Sequence, residues 1–262
     1  MLFSWLRRRR RNKLINAPFP QEWPGYLQEH VPPYATLSDD ERTRLHGLVR
    51  VLVDEKQWEG CGGLTMTDEV RVTVACWAGL LVLNLTDNYF DRVETVLVYP
   101  STYVVPSQPM DETGFMIGDS TRLGEAHYRG PVVLSWAAIL EDIRFPAAGR
   151  NVVLHEFAHQ LDMLNNLVDG TPNLESQVQF DRWQQVMDRE FQQLVRAVTH
   201  GRQTVLDPYG AENEGEFFAV VCECFFLRPQ AMKREHLGMY LVLRDYFHQD
   251  PLARGAPWEQ EW

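Results

Sequence analysis

The chain has few cysteines, and their spacing excludes two classes of protein. Only four occur in 262 residues, at positions 61, 76, 222 and 224, which is too few for a disulfide framework. Cys222 and Cys224 have one residue between them, whereas paired zinc-binding cysteines have two to four. We therefore expect buried free thiols in a reducing compartment, and a cytoplasmic location.

The chain also lacks a surplus of positive charge and a long hydrophobic run. Its 25 Lys and Arg stand against 36 Asp and Glu, a net charge of −11. This argues against direct nucleic-acid binding, because a phosphate-binding surface needs clustered cations. The longest apolar region, residues 70–85, is interrupted by Arg71, Thr73 and Asn84, so it is too short and too polar to span a membrane.

Positive charge is concentrated at the start of the chain. Five arginines at positions 7–11 follow the short apolar segment Met-Leu-Phe-Ser-Trp-Leu, which is the reverse of the order in a secretory signal. We interpret residues 1–14 as a mobile basic tail. The alternative is a weak contact with anionic lipid or with an acidic partner.

The hydrophobic pattern predicts an α+β fold that is mostly α, with an N-terminal helical portion and a small β-sheet. Residues 12–36, rich in Pro and aromatic residues, predict an extended arm. Ser38 and Glu41 have the spacing of a capping box, which starts one helix, and Thr67 starts a second that runs to about Leu85. The remaining predictions are helices at 149–164, 180–199, 215–227 and 229–247, strands at 93–99 and 130–136, and loops at 106–130 and 165–177. We predict one domain over residues 15–250 and an irregular C-terminal tail over 251–262.

Residues 151–162 read Asn-Val-Val-Leu-His-Glu-Phe-Ala-His-Gln-Leu-Asp and contain the pattern His-Glu-x-x-His. On a helix, His155 and His159 leave the same face one turn apart, so both imidazoles can bind one Zn²⁺. Glu156 can take a proton from a water beside the metal and deliver it to a leaving amine. The pattern predicts a zinc peptidase. The alternative is a core helix whose histidines are satisfied by hydrogen bonds.

A catalytic zinc usually has a third protein ligand. Glu216 and Glu223 lie seven residues apart in a strongly apolar segment, so two helical turns put them on one face. Carboxylates in such a segment are costly in free energy unless they bind a partner. We favour Glu216 as the metal ligand, with Glu223 one layer further from the metal. The alternative is that Glu216 and Glu223 both lie on the solvent-exposed face of an amphipathic helix. Asp169, on the loop after the motif helix, is a further candidate ligand. Asp162 is better placed to accept a hydrogen bond from a ligand histidine.

Three other segments carry functional alternatives. Tyr209, in the turn Asp207-Pro-Tyr-Gly, could donate to a developing oxyanion or could be a packing residue. Residues 132–136 could be an edge strand that pairs with an extended substrate or a buried core strand. If the enzyme trims N-termini, Glu212 or Glu214 could hold the substrate amine.

These motifs, taken together, resemble the Mlc titration factor A family. The resemblance covers roughly residues 15–250. It is carried by several separated segments in the same order: Trp58-Glu-Gly-Cys-Gly-Gly, Val93-Glu-Thr-Val-Leu-Val-Tyr-Pro, Gly130-Pro-Val-Val-Leu-Ser-Trp, His155-Glu-Phe-Ala-His-Gln-Leu-Asp, Asp207-Pro-Tyr-Gly and Glu216-Phe-Phe-Ala-Val.

The resemblance implies a cytoplasmic bacterial zinc metallopeptidase with a zincin-like core akin to the anthrax lethal factor catalytic domain. It further implies aminopeptidase activity and binding of the transcriptional repressor Mlc, which relieves repression of glucose phosphotransferase genes. By matching position, it implies His155, His159 and Glu216 as zinc ligands, Glu156 as catalytic base and Tyr209 as an aid at the transition state. A protein that mainly binds a regulator, with weak or regulated proteolysis, is the alternative function.

Overall fold

The computed structural model describes residues 2–86, 89–101 and 130–259, which belong to two compact units. The units are Met1–Leu140 and Glu141–Trp262, and the boundary falls within helix α5 (Trp136–Arg144). Residues 15–250, which we predict to form one domain, fall partly in each unit. The single domain remains a prediction. All but one residue of the loop predicted at 106–130 lies outside the described residues.

The first unit combines helices with a small parallel sheet. Its elements are α1 (Leu2–Ile15), α2 (Trp23–His30), α3 (Asp39–Glu55), β1 (Gln57–Gly60), α4 (Asp68–Leu81), β2 (Thr95–Tyr99), β3 (Val132–Ser135) and the start of α5. The strands pair in the order β1-β2-β3, and Val96 of β2 lies opposite both Trp58 and Val132. The predicted mostly helical α+β class, with a small sheet, is confirmed.

Strands β2 and β3 fall within the segments predicted at 93–99 and 130–136. The alternation of buried and partly exposed residues along both strands is the pattern of a sheet with one more accessible face. Strand β1 was not predicted, because its four residues are short and end in a glycine-rich turn. A side chain at Gly60 would collide with the carbonyl oxygen of Leu64, so the turn that ends β1 requires glycine there.

The start of the chain differs from its prediction. Residues 1–14 were predicted as a mobile tail, but residues 2–14 belong to helix α1, and the buried Arg11 guanidinium donates to both carboxylate oxygens of Glu55 at 2.9 and 2.6 Å. Ile15 contacts α3 at Gly47, where a larger residue would crowd it. Charge pairing across distant parts of the sequence orders this segment, and a local pattern does not reveal such pairing.

The predicted extended arm over residues 12–36 is also largely helical. Pro24 lies in the first turn of α2, where the missing N–H of proline costs no helical hydrogen bond. A 3-10 helix follows over Pro32–Thr36. Pro24, Pro32 and Pro33 therefore lie in the first turns of helices, where proline does not break the chain. By contrast, the capping box of Ser38 and Glu41 at the start of α3 is confirmed.

Every regular element in the described part of the second unit is a helix. Its elements are the end of α5, α6 (Val152–Asp162), α7 (Gln177–Thr199), α8 (Glu214–Leu227), α9 (Pro229–Glu235), α10 (Leu237–Phe247) and α11 (Pro251–Arg254), with short 3-10 helices at Pro146–Ala148, Met163–Asn165 and Pro208–Ala211. The predicted helices correspond to α6–α10, while α11 lies in the segment predicted to be irregular. Helix α8 is buried almost all round, and aromatic side chains from α7 and α10 pack against it.

The four cysteines are free thiols, and three of them are buried, as their number and spacing predicted. Within the described ranges, we find no helix with the length and hydrophobicity that crossing a membrane requires.

His46 of α3 predicts a pH dependence of folding. Its ring stacks on Phe19 with centroids 3.7 Å apart, and its Nε2 lies 2.8 Å from the Tyr34 hydroxyl. Burial, with a contribution from Arg42, lowers the pKa of His46 to about 4. As the pH falls, the histidine of the unfolded chain binds a proton at a higher pH than His46 of the folded protein. The contribution of His46 to stability is therefore fully present above about pH 6.5 and is lost as the pH falls towards 4.

We expect the free energy of unfolding to fall on the order of 2 kcal/mol more in the wild type than in His46→Phe between pH 7 and 4.5. Phenylalanine keeps the stacking surface but cannot titrate. Urea unfolding at a series of pH values measures this difference, and parallel stability curves for the two proteins would contradict it.

Candidate functional site

The start of helix α6 is fixed by three hydrogen bonds. Asn151 caps the helix by accepting from the backbone N–H of Leu154 at 2.9 Å, and its own N–H donates to Glu223 at 2.6 Å. The N–H of Val152 donates to Asp142 at 2.8 Å. These bonds satisfy donors that a helix start otherwise leaves unpaired, and they position the residues one turn later.

The structure brings together the three residues predicted as metal ligands. His155 and His159 leave one face of α6, and the Nε2 atoms of the two histidines lie 3.0 and 3.4 Å from the same oxygen of Glu216 on α8. One ligand atom from each residue lies within 4.8 Å of the others. Ligand atoms about 2.0–2.1 Å from a tetrahedral zinc are about 3.4 Å apart, so the spacing fits such an ion.

Glu223 contacts the His155 ring at the nitrogen that does not face Glu216, in agreement with its position two turns after Glu216. Its Oε2 lies 3.1 Å from His155 Nδ1, while its Oε1 accepts the N–H of Asn151. A carboxylate partner at Nδ1 implies that Nδ1 carries the proton, which leaves the Nε2 lone pair for a cation. Glu223 is 4% exposed, so the ring has little freedom to turn.

Electrostatics at this cluster also favour a cation. Burial alone would lower the pKa of His155, but Glu223 and Glu216 outweigh it and raise that pKa well above the usual value. Burial would likewise raise the pKa of Glu216, yet the two histidines hold it far below its usual range. The site therefore combines the carboxylates of Glu156, Glu216 and Glu223 with two imidazoles, and a divalent ion would neutralise this excess of negative charge.

Glu156 is largely enclosed beside the two histidines. Burial raises its pKa above the usual value, and the nearby histidines oppose that effect. A carboxylate with a raised pKa takes and returns protons more readily near neutral pH. Among the described residues, the cluster of candidate ligands does not include Glu156, so a metal ion held by that cluster would leave the Glu156 carboxylate available.

Tyr209 lies in the 3-10 helix Pro208–Ala211, beside the cluster. Its ring centroid is 6.0 Å from that of His155, and its N–H donates to Asp207 at 2.9 Å. The next residue, Gly210, is buried, and a side chain there would crowd Val220 and the backbone of Phe217. Close packing of this turn on α8 thus places Tyr209 near the histidines.

The other candidates from sequence are not part of the cluster of candidate ligands among the described residues. Asp169 accepts the N–H of Thr171 at 3.1 Å in the loop after α6. Glu212 and Glu214 are exposed near the start of α8. Asp142, which was not a candidate from sequence, is half-buried, and the loss of solvent raises its pKa to about 6. No sequence signal distinguished it from a surface carboxylate.

Asp162 has a different role from the one predicted. Instead of holding a histidine, its Oδ2 accepts the N–H of Gly170 at 3.0 Å. The carbonyl of Gly170 in turn accepts from the indole N–H of Trp183 at 3.2 Å. Gly170 thus connects the end of α6 with α7, and it also lies against the backbone of Glu214 at the start of α8.

We expect Gly170→Ala to destabilise the second unit strongly. Gly170 has φ +69°, and a side chain there would collide with the Glu214 carbonyl oxygen. The left-handed conformation alone costs a residue with a side chain roughly 1–2 kcal/mol, and the collision adds to it. Gly201→Ala is the matched control, since Gly201 has φ +63° with nothing within 4 Å.

Urea unfolding of both variants separates the two contributions. The control should lose only about 1–2 kcal/mol, and Gly170→Ala clearly more. Equal losses would mean that the loop after α6 is not held against α8 as the structure has it.

Comparison with known proteins relates the chain to peptidases. The family model "Glucose-regulated metallo-peptidase M90" matches residues 4–248. The uncharacterized protein slr2042 of Synechocystis sp. is 39% identical over 246 residues, covering 93% of this chain and 89% of its own. Proteins named Mlc titration factor A from Edwardsiella ictaluri and Yersinia pestis are each 30% identical, covering 86% and 88% of this chain respectively and 86% of their own lengths.

Proposed function

We propose that this chain, which belongs to the family of glucose-regulated metallopeptidases M90, is a zinc-dependent aminopeptidase. The observation that carries this proposal is the convergence of His155 and His159 on Glu216, with Glu156 beside them. Two imidazoles and one carboxylate, with a fourth position for water or substrate, form one of the known ligand sets of catalytic zinc.

Each residue then has a distinct task. His155, His159 and Glu216 would hold the zinc, which when bound supplies Lewis-acid activation of water and of a peptide carbonyl. Glu156 accepts the proton of the attacking water and returns it to the leaving amine. Glu223 keeps the His155 ring in place through Nδ1.

Two further groups bear on the transition state and on substrate choice. Tyr209 donates its phenol hydrogen to the oxyanion that develops on the carbonyl. An aminopeptidase also needs a negative group for the substrate's ammonium, and the exposed carboxylates of Glu212 and Glu214 near Glu216 are suited to it. We assign the activity to the cytoplasm, which the free thiols favour.

Hydrolysis of amino-acid p-nitroanilides tests the proposal. The full chain should cleave substrates with a free α-amine and should not cleave the matched N-acetylated compounds. A chelator should abolish turnover, and added Zn²⁺ should restore it. If the N-acetylated substrates are cleaved as fast as those with a free amine, the protein is a peptidase but not an aminopeptidase. Rates that do not change when the chelator is added would contradict the zinc site.

The names of the relatives favour a second function, binding of the repressor Mlc. Proteins named Mlc titration factor A share 30% identity with this chain over most of its length. We propose that the chain binds and sequesters Mlc and thereby raises expression of glucose phosphotransferase genes. In the alternative form of this proposal, regulator binding is the main function and proteolysis is weak or regulated.

Calorimetric titration of purified Mlc with the wild type and with Glu156→Gln separates binding from catalysis. Equal affinity for both proteins, together with activation of a phosphotransferase reporter by the variant, would make binding an independent function. Absence of measurable binding to either protein would contradict the Mlc proposal and would leave the peptidase proposal intact.

A further inference from the structure

Helix α1 has two faces of different chemistry. On one face, Arg7 and Arg11 pair with Glu55 and with Asp91, and Arg10 pairs with Asp54 at 2.6 Å. These contacts attach the helix to the rest of the first unit. From Trp5 onwards, the opposite face presents exposed residues at helical spacing, namely Trp5, Arg8, Arg9, Asn12 and Lys13.

The exposed face combines cations with apolar surface. Trp5 is 56% exposed and the adjacent Leu6 is 48% exposed. The Arg9 guanidinium lies over the Trp5 ring, 5.5 Å from its centroid. Large apolar side chains exposed beside arginines are costly in water, but they suit the boundary between lipid headgroups and acyl chains.

Charge along the sequence is strongly segregated. The first 15 residues contain six of the 25 Lys and Arg and none of the 36 Asp and Glu, although the whole chain has a net charge of −11. An anionic surface would therefore attract this helix and repel most of the remaining chain. Segregation of this kind favours one orientation at such a surface, with the exposed face of α1 towards it.

We propose that the exposed face of α1 binds the surface of an anionic lipid membrane and so recruits the protein to it reversibly. Arg8, Arg9 and Lys13 contact the headgroups, while Trp5 and Leu6 enter the interface. A purely electrostatic partner, such as an acidic protein, would use the cations but would gain little from the exposed indole. Because one helix of this length gives only marginal affinity, binding should be reversible and sensitive to salt.

Vesicle co-sedimentation of the full chain tests this proposal. The probes are vesicles of phosphatidylcholine mixed with phosphatidylglycerol, and vesicles of phosphatidylcholine alone. Each basic residue near an anionic surface contributes about a fivefold gain in partitioning. The triple variant Arg8→Ala, Arg9→Ala, Lys13→Ala should therefore bind the mixed vesicles about 100-fold more weakly.

The matched control is Arg44→Ala, Arg196→Ala, Arg202→Ala, which removes three exposed cations outside α1. It changes the net charge equally and should bind mixed vesicles like the wild type. Trp5→Ala should weaken binding at high salt as well as at low salt, because its contribution is apolar.

Three results would overturn the proposal. They are equal sedimentation with the two kinds of vesicle, equal loss in both triple variants, and an unchanged affinity of Trp5→Ala for the mixed vesicles. The last result, with binding to soluble polyglutamate retained, would favour an acidic macromolecule as the partner.

Discussion

Replacing Glu156 by Gln is expected to lower kcat for peptide hydrolysis by about 10²–10⁴-fold while leaving zinc binding in place. Glutamine has nearly the shape of glutamate, but its amide cannot take a proton from water at neutral pH. Glu156 lies outside the cluster formed by His155, His159 and Glu216, so its loss removes proton transfer without removing a ligand.

Rates with a free-amine p-nitroanilide, and zinc content by mass spectrometry, measure the two effects on the same preparation. Glu141→Gln is the control, since it removes an exposed carboxylate on α5 and should keep wild-type turnover. Glu156→Gln protein that holds zinc and turns over at the wild-type rate would exclude Glu156 as the catalytic base, and the mechanism would then need another proton acceptor.

The motif helix could be predicted from sequence because its information is local. Two histidines four residues apart share a face on any α-helix, and Glu216 and Glu223 share one for the same reason. The pair of histidines and the pair of glutamates could therefore be predicted from sequence to belong to one site. What the sequence could not give is the partner of each atom, since a 3.1 Å bond from His155 to Glu223 depends on how α6 packs on α8.

Two of the wrong expectations, for Asp162 and for the start of the chain, have a common physical cause. Asp162 lies one turn after His159, which made it a reasonable partner for a histidine, but its carboxylate is used by the N–H of Gly170. Residues 1–14 look mobile until Arg11 meets Glu55, 44 positions later. In both places a tertiary contact overrides what the local pattern favours, and a single sequence carries no record of such contacts.

The structure places Glu216 beside His155 and His159, and the second large effect follows from the proposal that Glu216 is the third ligand. Glu216→Ala is expected to abolish tight zinc binding, because two histidines alone leave the ion without its third protein ligand. Glu223→Gln should retain zinc but bind it about 10–100-fold more weakly, since it alters only the group that holds His155. Asp169→Asn, which changes the other candidate ligand, should bind zinc like the wild type.

Competition for zinc with a chelating dye ranks the four proteins, and thermal unfolding gives an independent readout. Free zinc at 100 times the dissociation constant stabilises a folded protein by about 2.7 kcal/mol. The wild type and Asp169→Asn should therefore melt at a higher temperature with zinc than with chelator, whereas Glu216→Ala should melt at the same temperature in both. Wild-type affinity in Glu216→Ala, with loss in Asp169→Asn, would assign the third ligand to the loop after α6 instead of to helix α8.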